Sequence, residues 1–131
     1  RAAARVARLG VEAEGAVARS VDVATPAPGQ GLLALEGRDD DPARARAVAA
    51  LEDPAAHACL RAERALLTAL GGGCQQPVGG YCEPVRAGLR LTAFAQSSDG
   101  ARSGRVVREG PLADPEALGA AAAGELAEIR A

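Results

Sequence analysis

Cys74 lies in the run GGGCQQPVGGY, Gly71 to Tyr81, with glycines on both sides. A thiol in so open a stretch has two readings. It packs as a small hydrophobe after a helix-ending glycine, or it is an attachment point whose glycines let a ligand pass close to the backbone. The helix expected before it presents its C-terminus, whose dipole disfavours a thiolate. Activation of the thiol would therefore need nearby cations. Local chemistry leaves both readings open.

A second stretch, PAPGQGLLALEGR, ends at Arg38. Gln30 stands between two glycines and could be held for an amide contact, while Arg38 could bind a carboxylate. The alternative is an ordinary passage from loop to strand. In RAERALL, Arg61 to Leu67, Glu63 and Arg64 read as a structural network rather than as catalysts. The single histidine, His57, shows no partner and reads as a surface or helix-start residue. No nucleophile–base pair, phosphate-cradling loop or aromatic-basic RNA motif is present.

Composition narrows the classes. The chain has 131 residues, with 48% hydrophobic residues, many of them alanine, one Phe, one Tyr, and neither Trp nor Met. Such a core is fine-grained and gains little per residue from burial. Net charge is -2, so nothing in it argues for bulk attraction to nucleic acid or membrane. All 15 basic residues are arginines, each able to bind an anion in bidentate fashion. Three irregularly spaced cysteines without a CxxC pair, and one histidine, argue against a metal site. They fit a reducing cytoplasm.

Patterning then supplies the elements that must hold these residues. RAAARVARLG reads as a helix end, and SVDVAT as a short strand with Val21 and Val23 on one face. After the PAPGQG turn, Leu32–Glu36 reads as a buried strand. Asp41 caps a short helix beginning at Pro42, amphipathic through Val48 and Leu51, which Pro54 interrupts. A longer helix is expected from Ala55 to Leu70, with Cys59, Leu60, Leu66, Leu67 and Leu70 as its apolar stripe and Gly71–Gly73 as its stop. PVGGYCEPV, LRLTAFAQ and GRVVREG, separated by turns, predict an antiparallel meander. A last helix follows Asp114 and Pro115, with Leu118, Ala122, Leu126 and Ile129 on one face. The last ~80 residues form a small α+β unit; the first ~50 do not close on themselves and are expected to belong to a larger domain.

Taken in order, TPAPGQGLLALEGR, AERALLTALGGGCQQPVGGYCE and LRLTAFAQSSDG resemble the porphobilinogen deaminase family along essentially the whole chain. That family shows P-A-x-G-Q-G, an Arg after the following strand, an A-E-R-A helix and G-G-C-Q-x-P-[IV]-G. The sequence departs from the pattern at Pro28, where an aliphatic such as Val is common, at Gly37, where a Cys or another small residue is common, and at Gly80, where Ser is commoner. None of these touches the anchor.

The resemblance implies an α+β C-terminal domain with a three-stranded antiparallel sheet, preceded by remnants of a larger two-domain, periplasmic-binding-protein-like α/β part. Residues 1–25 would be the tail of the second domain, 26–53 the return segment to the first, and 54–131 the cofactor-anchoring domain. It implies a dipyrromethane cofactor joined by a thioether to Cys74. Four porphobilinogen units would be added to this primer, each with loss of ammonia, before hydrolysis releases hydroxymethylbilane for tetrapyrrole synthesis. Arg38 maps to a position whose guanidinium faces cofactor or substrate, and Gln30 to the turn lining the cleft. The family's catalytic aspartate would lie in about 180 residues ahead of this sequence, so no catalytic residue is expected within it and the chain alone should be inactive. The expected partners are porphobilinogen and the growing pyrrole chain, with no nucleic acid, membrane or metal, in a cytoplasmic monomer. The competing reading is a stand-alone, non-catalytic binding or scaffold module derived from the same domain.

Overall fold

The computed structural model describes residue 20 and residues 23–38, 40–72 and 77–130. The dipeptide Asp-Pro occurs at 41–42, 53–54 and 114–115, and each time it starts a helix. These are α1 (Pro42–Ala49), α2 (Pro54–Ala69) and α3 (Pro115–Arg130). Proline supplies a pre-set φ at the first helical position, where no N–H is needed. The aspartate before it accepts the free N–H groups. Asp41 takes those of Ala43 and Arg44, Asp53 those of Ala55 and Ala56, and Asp114 that of Ala117.

Between α2 and α3 run β1 (Val78–Val85), β2 (Gly88–Gln96) and β3 (Ser103–Gly110), an antiparallel meander in the order β1-β2-β3. Period-2 alternation gives the sheet two faces. One face carries Val78, Cys82, Leu89, Leu91, Ala93 and Ala95, all buried. Against it pack α2, through Ala58, Cys59, Ala62 and Leu66, and α3, through Leu118, Ala122, Ala123 and Leu126. On the other face, Glu83, Arg90 and Glu109 share one row across the three strands, and Arg90 pairs with both carboxylates. The two helices touch closely. A Cβ built on Gly119 would lie 2.3 Å from the Ala62 carbonyl oxygen. With few bulky side chains available, the fold gains density by bringing backbones together over alanine and glycine.

The small α+β domain and its meander are as patterning predicted. The stripe on α2 is shifted, however: Leu60 and Leu67 are half-buried, while Ala58, Ala62 and Glu63 are buried. His57 has a partner after all, the Glu52 carboxylate in the turn before α2.

The segment ahead of α2 departs further. Of the expected strand SVDVAT, Val21 and Asp22 lie outside the described residues, as does the helix end within RAAARVARLG. Val23 and Ala24 form a turn, both N–H groups donating to the Ser20 carbonyl. Leu32–Glu36 joins no sheet, and Leu33 and Leu35 are 82% and 58% exposed. A strand needs a neighbour for its backbone and a face to bury, and among the described residues no strand pairs with this segment. The first helix, α1, buries no side chain. No helix among the described residues is long and apolar enough to cross a membrane.

Candidate functional site

In the sequence, Cys74 falls between the end of α2 and the start of β1. It lies outside the described residues, but both roots of that stretch are described. At the first root, Gly71 has φ +62, a left-handed conformation that side chains disfavour. Gly71 N–H donates to the Thr68 carbonyl at 3.0 Å and Gly72 N–H to the Leu67 carbonyl at 2.9 Å. This is a Schellman closure. A Cβ on Gly72 would strike Leu67 Cδ1 at 2.5 Å. The helix end itself therefore accounts for these two glycines. At the second root, the Pro77 carbonyl accepts from Gln96 N–H and starts the β1–β2 ladder.

Strand β1 is an edge strand, yet its free edge is occupied. Gly80 N–H donates to the Pro26 carbonyl at 2.8 Å. Cys82 N–H donates to Glu63 Oε1 at 2.7 Å. The next outward position is Pro84, which has no N–H. Gly79 and Gly80 let the segment seat. A Cβ on Gly79 would lie 2.9 Å from the Thr25 carbonyl oxygen, and one on Gly80 3.2 Å from Pro28 Cγ. This second glycine pair makes room for the chain's own turn.

Glu63 is 4% exposed, the one buried charged side chain among the described residues. Its Oε2 accepts the Gly29 N–H at 2.6 Å. Burial holds its carboxyl above the ordinary glutamate range, against the opposing pull of its bonds to Gly29 and Cys82. The expected network around Glu63 is thus real, but its partners are two backbone amides far apart in sequence; Arg64 is exposed. A lone glutamate on the apolar side of α2 was the available signal.

Gln30 caps its own turn, its Oε1 accepting from Ala27 N–H at 3.1 Å. Arg38 is exposed and forms a two-bond pair with Asp40, Nε to Oδ1 at 2.9 Å and Nη2 to Oδ2 at 2.5 Å. Cys59 and Cys82 are buried and in thiol–thiol contact. Burial pushes both thiols up, helped by the nearby carboxylates of Glu63 and Glu83. They line a cavity of about 160 Å³ together with Glu63, Tyr81 and Leu32.

The family model for the C-terminal domain of porphobilinogen deaminase matches residues 57–128, from the start of α2 almost to the end of α3. The chain belongs to this family. Porphobilinogen deaminases similar to it include those of Thiobacillus denitrificans, 42% identical over 95% of this chain, and Roseiflexus sp., 43% identical over 95%. That of Geobacillus kaustophilus is 44% identical over 82% of the chain. The chain spans 41% of the length of the first two and 34% of the third. Within the deaminase C-terminal domain, the Glu63 contacts tie the matched region to a turn that precedes it.

Proposed function

We propose that this chain is the cofactor-anchoring portion of a hydroxymethylbilane synthase, with Cys74 as the thiol that carries a dipyrromethane. The observation that supports this most directly concerns the other two thiols. Cys59 and Cys82 are buried, in contact with each other, and held protonated by burial. A protonated, buried thiol is a poor nucleophile. That leaves Cys74, in the stretch between α2 and β1 where the family motif G-G-C-Q-x-P-x-G falls. When bound, the dipyrromethane supplies the primer to which porphobilinogen units are joined with loss of ammonia.

The chain's own residues would do the following. Cys74 forms the thioether. The capped end of α2 and the laddered start of β1 fix the two ends of the stretch that contains it. Arg38 binds a pyrrole carboxylate, exchanging its Asp40 partner for the ligand. Gln30 lines the cleft at a turn pinned to β1. In this reading residues 54–131 are the anchoring domain, 26–53 the return segment to a first α/β domain and 1–25 the tail of a second, both of periplasmic-binding-protein-like type. The exposed Leu33, Leu35 and Leu51 support it, because apolar side chains facing solvent on one segment mark a surface made to be covered. The acid/base carboxylate would come from those domains.

The test is the mass of the intact protein. Wild-type protein that includes the domains proposed to precede residue 1 should carry the dipyrromethane mass and convert porphobilinogen into hydroxymethylbilane, whereas residues 1–131 alone should not turn over. Cys74→Ala should lose both, while Cys59→Ala and Cys82→Ala keep the adduct. An adduct mapped to Cys59 or Cys82 would refute the assignment.

A further inference from the structure

Three outward positions of β1 decide what its edge can do. In an antiparallel pair, alternate residues point their N–H groups away from the partner strand. On β1 these include 80, 82 and 84. The Gly80 N–H is taken by Pro26, the Cys82 N–H is taken by Glu63, and Pro84 has none. Residues 26–29 therefore lie where a fourth strand would begin, and the Glu63 carboxylate continues the edge for one more position. Its second oxygen reaches back to Gly29 N–H, at the tip of the same turn. Each amide meets its own oxygen. A glutamine would offer one oxygen and one NH₂, so one of the two amides would face a donor. An unpaired buried donor is costly.

We infer that Glu63 is a positioning residue: its carboxylate fixes the Pro26–Gly31 turn, with Gln30 upon it, against the strand whose first residue follows Cys74 by four positions. The turn and β1 are thereby held at a set separation by one side chain. The buried charge fits this role. A carboxylate is harder to bury than an amide, and its use here secures one geometry for the turn. The part of the inference that concerns catalysis rests on the reading of Cys74 as the anchor; the clasp itself does not.

The experiment has two readouts on the protein joined to the domains proposed to precede it. The first is backbone hydrogen exchange at Gly29 and Cys82. In wild type both amides should be protected like those of the β1–β2 ladder, and Glu63→Gln should speed both at least tenfold. Glu125→Gln, an exposed glutamate on α3, should not. The second is porphobilinogen consumption per mole of cofactor adduct. Glu63→Gln should keep the adduct but lose at least tenfold in kcat, with KM changed much less. Glu63→Asp, which keeps the charge but is one methylene short, should show a weaker form of both defects and guards against a Gln variant that does not fold. Fast exchange at Gly29 in wild type, or unchanged exchange in Glu63→Gln, overturns the clasp. An open clasp with full turnover per adduct overturns the positioning role. If wild type carries no adduct and consumes no porphobilinogen, the functional reading fails instead, and exchange alone decides the clasp.

Discussion

Pro28 packs directly over Gly80: a Cβ on Gly80 would fall 3.2 Å from Pro28 Cγ and 3.0 Å from Leu66 Cδ2. At both positions the resemblance leads another residue to be expected, an aliphatic for Pro28 and a serine for Gly80. The proline ring fills the space that a serine side chain would need. Gly80→Ser alone should therefore destabilise by about 1–2 kcal/mol through overpacking. Pro28→Ala should relieve at least about 0.5 kcal/mol of that cost in a double-mutant cycle. Additive unfolding free energies for the two changes would show that the contact carries no coupling.

Two mid-helix glycines of α3 should respond in opposite directions to alanine. At Gly119 the new methyl would meet the Ala62 carbonyl oxygen at 2.3 Å and Ala65 Cβ at 2.8 Å. Backbone cannot yield without parting the helices, so Gly119→Ala should cost about 2–3 kcal/mol. At Gly124 nothing lies within 4 Å. Gly124→Ala should stabilise by roughly 0.5–1 kcal/mol through helix propensity. Thermal melts of the two variants decide the matter, and equal effects would mean that α2 and α3 do not approach as described.

Glu63 should leave a signature in the pH dependence of stability. Its folded pKa is raised, so between the ordinary glutamate range and that raised value the native state holds a proton the unfolded chain has released. Its contribution is fully present below the ordinary range and is lost as pH rises through the raised value. The groups around it are the Cys59 and Cys82 thiols and, on the same cavity, Asp53, Tyr81 and Glu83. Other carboxylates titrate too, so the quantity to measure is wild type minus Glu63→Gln in urea unfolding. That difference should fall from acid toward neutral pH; a flat or rising difference contradicts the burial argument.

Cys59 and Cys82 should resist alkylation. Both are buried with raised thiol pKa values, and the thiolate is the reactive form. Iodoacetamide at pH 8 should leave them unmodified in the native protein and modify both in denaturant. Rapid native labelling at either residue would remove the main support for assigning the anchor to Cys74.

Under the proposed function, with the preceding domains present, Arg38→Leu should lower turnover at limiting porphobilinogen roughly tenfold or more, since a charge-assisted bond is worth about 1.5–3 kcal/mol. Asp40→Asn removes the charge and one of the two acceptors facing the same guanidinium and should not reproduce that loss. Stability should change little in either variant, because both side chains are exposed and such pairs contribute little. If Asp40→Asn is as damaging as Arg38→Leu, the pair is structural.

Elements whose cause is local were legible in the sequence. Asp41-Pro42 and Asp114-Pro115 announce helix starts because capping and proline geometry act within four residues. Alternating runs between Pro77 and Gly110 predict a meander because period 2 and short turns leave few other pairings. The motif around Cys74 pointed to the family for the same reason, as a string of neighbouring residues. Contacts between distant segments were not legible. Leu32–Glu36 has the composition of a strand, but pairing needs a neighbour that only the folded chain can supply. Gly79 and Gly80 read as room for a ligand, whereas the structure fills that room with Thr25 and Pro28. Glu63 read as part of a network with Arg64, and folding gave it Gly29 and Cys82, 34 and 19 residues away, because a buried carboxylate takes whichever donors the packing brings to it.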